Sequence, residues 1–194
     1  MAPPRKHETD AILDATRALV LAEGPRAASV AAIAAASGAP AGTLYHRFGN
    51  RNGVLIATWL RALGRFQAGA MVAAEAAPSS ALDTAVGMGV AAIEFARLMP
   101  DDARFLLQLR PADLVDGEPD AAFQETLAEL NAPLALRVRE LARELYGSDS
   151  PRSVDAVTRA IVDLPHAAVR RHVDHIPDWL ESDVAQAIRA LLSR

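Results

Sequence analysis

Residues 29–55, SVAAIAAASGAPAGTLYHRFGNRNGVL, constrain the fold more tightly than any other stretch of the chain. Two short helical patterns flank a break at Gly38, and the second ends in the aromatic and basic cluster Tyr45-His46-Arg47-Phe48. Upstream, Ile12, Leu13, Leu19 and Val20 recur at i, i+1, i+7 and i+8, one apolar face of a helix over residues 8–23. Gly24-Pro25 stops that helix. Ser29 offers an N-cap oxygen to a second helix reaching about Ala36, with Ile33 as its core anchor. The alanines around Ile33 let neighbouring helices approach closely. Gly38 supplies the left-handed conformation that a tight turn needs. Pro40 suits the first turn of a third helix, where its missing N–H costs nothing.

In the third helix Leu44 and Phe48 lie four apart and face the core. Ala41, Gly42, Thr43, Tyr45, His46 and Arg47 remain at or near the surface. Small residues at the leading end let such a helix enter a major groove, and Thr43 can hydrogen-bond a base or a phosphate. Tyr45, His46 and Arg47 can hold the phosphate backbone, as can Arg51 at the start of the next helix. Two short helices, a glycine turn and a polar second helix are the parts of a helix-turn-helix reader of double-stranded DNA. The expected DNA-binding residues are Ser29, Pro40, Ala41, Gly42, Thr43, Tyr45, His46, Arg47 and Arg51.

Residues 8–55 resemble the N-terminal domain of TetR-family transcriptional regulators. The likeness rests on Ile12-Leu13, Gly24, Ser29, Ile33-Ala34, Gly38, Gly42-Thr43-Leu44-Tyr45, Phe48 and Arg51. Three positions depart from the family pattern. Pro40 replaces a serine, which removes a side-chain cap or phosphate contact. Arg47 replaces a histidine, and arginine grips a phosphate more strongly than a neutral imidazole. Asn52-Gly53 is a weaker helix opening than the charged residues usual there.

The resemblance implies an all-α protein with a three-helix DNA-binding domain over residues 1–52. A helical domain for effector binding and dimerisation follows over residues 53–194. It implies a homodimeric regulator, most simply a repressor, released from a palindromic operator by a small molecule. Charge agrees in direction with that division. The net charge is −4, yet residues 1–51 carry six basic groups (Arg5, Lys6, Arg17, Arg26, Arg47, Arg51) against four acidic ones. The remainder carries 14 basic and 20 acidic groups. So modest a head charge makes affinity depend on pairing two reading helices.

Beyond residue 51 the pattern is helix after helix. A long helix runs from Arg51 to about Ala74, and Pro78-Ser79-Ser80 breaks the chain. Ser80 with Asp83 resembles a capping box for a helix ending near Leu98. A short helix spans Pro100 to about Arg110, and 111–119 form a loop with a possible helical turn. A helix from about Asp120 to Tyr146 should kink at Pro133. Ser150-Pro151 caps a helix reaching His172, interrupted near Pro165. Asp178 with Glu181 opens the last helix, ending near Leu192. Because the long helix starts beside the DNA contacts, a ligand that prefers one tilt of it would shift the reading helix.

Val154, Val157, Ile161, Leu164, Val169 and Val173 form one apolar stripe. Ile176, Leu180, Val184, Ile188, Leu191 and Leu192 form another. By the resemblance, Val154, Val157, Ile161, Leu164, Val169, Val184, Ile188 and Leu191 are the expected dimer interface. The expected effector pocket takes Trp59, Leu63, Phe66, Met88, Phe95, Phe105, Leu109 and Phe123, although plain core packing is the simpler reading of each. Its polar fixtures would be Arg104, Gln108 and His166. An apolar or amphipathic ligand fits such walls.

The chain holds no cysteine, which excludes disulfides and thiol chemistry. It shows no paired histidines at metal spacing on one helix, no phosphate-cradling glycine loop and no G-x-S-x-G turn, so no enzyme activity or cofactor is expected. His172, Asp174, His175 and Asp178 are the one dense group of potential ligands, and a bound metal is not expected there. No secretory pattern or membrane-length apolar run is visible, so a cytoplasmic location without membrane attachment is expected. The competing reading is a helical small-molecule-binding or interaction module without specific DNA binding.

Overall fold

The computed structural model describes residues 5–76, 80–114 and 121–193. The expected break at Pro78-Ser79, most of the 111–119 loop and the helix start at Asp120 lie outside them. Among the described residues the chain is helical throughout, with no strand. It separates into two compact units. The first combines Met1–Leu63 with Arg104–Glu125, and the second combines Gly64–Ala103 with Thr126–Arg194. The boundary expected near residue 52 falls at the start of a single helix, Arg51–Ala76.

The first unit opens with α1 (Arg5–Glu23), a 3₁₀ turn (Pro25–Ala27), α2 (Val30–Ser37), α3 (Ala41–Phe48) and the start of α4 (Arg51–Ala76). Its remaining elements are the end of α6 (Pro100–Gln108), α7 (Pro111–Leu114) and the first residues of α8 (Ala121–Tyr146). Ile12, Leu13 and Val20 of α1 meet Ile33, Leu44, Val54, Leu55 and Phe105 in one buried cluster. The apolar face read over residues 8–23 is therefore the one that packs. Thr16 sits wholly inside this core, where its hydroxyl donates to the Ile12 carbonyl at 2.8 Å. That bond removes the cost of burying an unpaired hydroxyl.

The second unit is built around α5 (Ala81–Leu98), which packs against α10 (Leu164–Arg171), α11 (Leu180–Leu192) and the turn preceding α10. Ser80 caps α5 as its position predicts, accepting from the Asp83 N–H at 3.1 Å and donating to the Asp83 carboxylate at 2.7 Å. Buried residues occur on nearly every turn of α5, as expected of a helix enclosed by neighbours. Gly89 lies where Ile188 approaches α5. A Cβ there would lie 2.4 Å from Ile188 Cδ1 and 3.5 Å from the Ile161 Cα.

Ser150 caps α9 (Pro151–Thr158), and the interruption expected near Pro165 is a π turn over Arg159–Asp163. Pro165 has no N–H for the Ile161 carbonyl, and its ring would crowd that carbonyl in a regular helix. The chain widens just ahead of it. α8 runs on through Pro133. The last helix starts at Leu180, and Asp178 makes no side-chain cap. Arg97 of α5 closes that turn, donating to the Pro177 and Asp178 carbonyls at 3.0 and 3.3 Å and pairing with Glu181.

Gln67 of α4 is 6% exposed. Its Nε2 donates to Asn131 Oδ1 at 2.6 Å, while its Oε1 has no hydrogen-bond partner. An unsatisfied buried acceptor costs about 1–3 kcal/mol, more than the single amide bond contributes. Gln67→Met, close in shape, is therefore expected to raise the unfolding free energy by up to about 1 kcal/mol, read from denaturant midpoints. A loss of that size would show that the Gln67–Asn131 bond dominates.

Candidate nucleic-acid interface

The reading surface is set by three caps and one buried leucine. Ser29 is extended and accepts from the Ala32 N–H at 3.1 Å, which starts α2. Gly38 ends α2 in the left-handed region, at φ 71. Ser37 braces the same turn: its hydroxyl donates to the Ile33 carbonyl at 2.7 Å and accepts from the Ala39 N–H. Pro40 stands one residue ahead of α3, at the cap position and not inside the first turn as expected. Its fixed φ suits that place, and its carbonyl accepts from the Thr43 N–H at 2.9 Å.

Leu44 is buried and Phe48 packs against the same core, so α3 can turn only one face outward. Ala41, Gly42, Tyr45 and His46 are exposed there, Tyr45 by 56%, together with Ser29 and Pro40. Thr43 and Arg47 are half-buried. A hydroxyphenyl ring held in solvent gains nothing from the core and is available to a partner.

Three arginines near this surface are engaged. Arg47 donates to the Thr9 hydroxyl of α1 at 2.6 Å. Arg51 donates to backbone carbonyls of the turn before α2. Arg61 of α4 holds Asp10 at 3.0 Å and Asp14 at 2.6 Å, both on α1. Arg61, Thr9 and the Asn50 cap were not singled out from the sequence. Only Asn50 carried a readable signal, an Asx residue three ahead of the N–H it caps, at 2.9 Å from Gly53 N.

Residues 12–58 match the family model for bacterial regulatory proteins of the TetR family. The chain carries a TetR-family DNA-binding domain. No curated protein sequence matches it. Solved regulators share the fold at low identity. The fatty acid degradation regulator FadR from Bacillus halodurans is 21% identical, with a TM-score of 0.72 over 95% of this chain and 97% of that one. FadR from Bacillus subtilis, solved in complex with stearoyl-CoA, is 15% identical, with a TM-score of 0.70 over 95% and 97%. A TetR-family transcriptional regulator from Streptomyces coelicolor is 16% identical, with a TM-score of 0.70 over 96% and 95%.

The eight residues expected to wall an effector pocket divide between the two units of the chain. Trp59, Leu63, Phe105, Leu109 and Phe123 belong to the first. Trp59 Nε1 donates to the Leu109 carbonyl at 3.0 Å, its ring meets Phe123 edge-on at 6.2 Å, and Phe105 is wholly buried in the reading head's core. Phe66, Met88 and Phe95 belong to the second, where the two phenylalanines pack edge-on at 5.6 Å. Of the polar fixtures, Gln108 and His166 are exposed and Arg104 is half-buried. The second unit also holds a groove of about 400 Å³ between Val86 and Val90 of α5 and Glu181 and Ser182 of α11, on which none of the eight lies.

Of the expected dimer residues, Val157, Ile161, Val169, Val184 and Ile188 are buried in the second unit's own core. α10, α11 and the π turn pack against α5, and α9 packs against the π turn and α11. Val154 and Leu164 are half-buried, and Leu191 is 59% exposed. Among the described residues no three potential ligands cluster to hold a metal, and no helix is long and apolar enough to cross a membrane.

Proposed function

We propose that this chain is a ligand-responsive transcriptional regulator: a homodimeric repressor that leaves a palindromic operator when a small apolar or amphipathic molecule binds its C-terminal unit. One observation carries the DNA-reading part. A TetR-family helix-turn-helix holds α3 by a buried Leu44 and turns Gly42, Tyr45 and His46 into solvent. Small residues lead and aromatic and imidazole groups follow, the order needed for a helix that enters a groove and braces on its phosphate walls.

Pairing follows from weakness. A single α3 reaches few base edges, and a symmetric pair on two half-sites multiplies the affinity. A partner would meet Leu191 and the exposed neighbours of the inward-facing valines on α10 and α11. The amphipathic class of ligand draws support from the fold shared with the FadR protein that holds stearoyl-CoA.

Selection of bound duplexes from a random DNA pool tests this reading. The wild type should enrich a palindrome, and a Tyr45→Ala, His46→Ala double variant should lose it by about tenfold or more while folding normally, since both side chains are exposed. A folded, dimeric wild type that enriches nothing would overturn specific DNA reading. It would leave the ligand-binding module as the function.

A further inference from the structure

Arg51 is the first residue of α4, the place from which the sequence sends it to the phosphate backbone. Its guanidinium is turned back into the protein. Nε donates to the Ala28 carbonyl at 3.1 Å, one terminal nitrogen donates to the Pro25 carbonyl, and the other reaches Asn52 Oδ1 at 3.3 Å. Pro25 and Ala28 bracket the 3₁₀ turn that delivers the chain to Ser29, the cap of α2.

At its other end Arg51 is rooted in a rigid junction. The Gly49 N–H closes α3 on the Tyr45 carbonyl at 2.9 Å, and the Asn50 N–H donates to the Phe48 carbonyl at 2.8 Å. Asn50 Oδ1 in turn caps the Gly53 N–H. One planar fork therefore ties the exit of the recognition helix to the entry of α2. An ammonium has no fixed fork and cannot reproduce two directed carbonyl bonds from one planar group.

We propose that Arg51 is a positioning residue: it clamps the α1–α2 turn to the α3–α4 junction, so that α2 and α3 meet DNA in one geometry, and it does not serve as a phosphate contact. This rests on the DNA-reading function and adds the device that sets the angle of reading. A phosphate contact and a clamp leave different signatures. Losing a phosphate contact weakens all duplexes alike and lowers the salt slope by about one. Losing the clamp spares the slope and weakens the matched sequence, where alignment matters.

The test uses the full-length protein as wild type, Arg51→Ala and Arg51→Lys. Affinities are measured against salt for the selected duplex and an unrelated one, and amide hydrogen exchange is followed over residues 25–32 without DNA. The clamp predicts that both variants lose about tenfold to a hundredfold on the selected duplex. It also predicts an unchanged salt slope, unchanged binding to the unrelated duplex and faster exchange over 25–32. An Arg51→Lys that keeps wild-type affinity and exchange, with an Arg51→Ala that lowers the slope by about one on both duplexes, overturns it. Should Arg51→Ala not fold, the lysine variant decides by the same readings. Should the wild type select no duplex, the DNA-reading function fails. Exchange over 25–32 in Arg51→Lys then still decides for or against the clamp.

Discussion

Phe105→Ala is expected to cost the N-terminal unit about 3–5 kcal/mol, the usual loss for truncating an enclosed phenylalanine. Phe105 is 0% exposed and joins Ile12, Ile33, Leu44, Val54 and Leu55 in the head's core, although it is carried by α6, more than 50 residues downstream of Leu44. A domain has about 5–15 kcal/mol of stability in all, so this loss takes a large share of it. Trp59 lies in the same unit and Trp179 in the other, so Trp59 fluorescence in a Trp179→Phe background reads this unit alone. Its denaturation midpoint should fall steeply, and DNA binding should fail at a lower temperature than in the wild type. Phe105→Leu, which keeps most of the buried volume, should lose much less. A change below about 1 kcal/mol in the alanine variant would show that the cavity collapses or that α6 does not support the head.

The position of Phe105 explains how much of this chain could be read in advance. Local signals carried well. Ser29, Ser80 and Ser150 cap helices where their spacing places them, and Gly38 takes a left-handed turn. Leu44 faces the core, as its spacing from Phe48 requires. Each of these depends on a few neighbouring residues. What did not carry is which neighbour an apolar face meets. Phe105, Leu109 and Phe123 suited a pocket wall because a helical stripe declares that it is buried and says nothing of its partner. The valines of α9 to α11 carry the same ambiguity: a stripe that packs within its own unit has the pattern of one made for a second protomer. Arginines were the hardest. The spacing of Arg47 and Arg51 on a reading head suggests phosphates, and only the folded chain reveals the Thr9 hydroxyl and the Pro25 and Ala28 carbonyls in reach.

Gly53→Ala is expected to destabilise the reading head by about 3 kcal/mol, the upper end of overpacking costs, and to abolish sequence-specific DNA binding. Two effects of opposite sign meet at this residue. Alanine is the better helix former by about 1 kcal/mol, and in an open helix it would stabilise. Here an added Cβ would lie 1.9 Å from the Phe48 carbonyl oxygen and 3.0 Å from its carbon. Both are backbone atoms of the recognition helix, so no side chain can yield in their place. Relief requires α3 and α4 to part, which strains the Asn50 cap on Gly53 and moves Arg51 away from the turn before α2. Gly42→Ala is the matched control. It adds the same methyl group to a helix, with nothing within 4 Å of the new carbon. That variant should gain stability by up to about 1 kcal/mol, and any effect it has on DNA binding should come from the methyl group in the groove. The sign of the stability change in Gly53→Ala therefore decides between propensity and contact. A gain would mean that the α3–α4 junction is loose enough to absorb a methyl group. A loss, joined to failed recognition, would mean that the angle of the reading helix is set at Gly53 by the absence of a side chain.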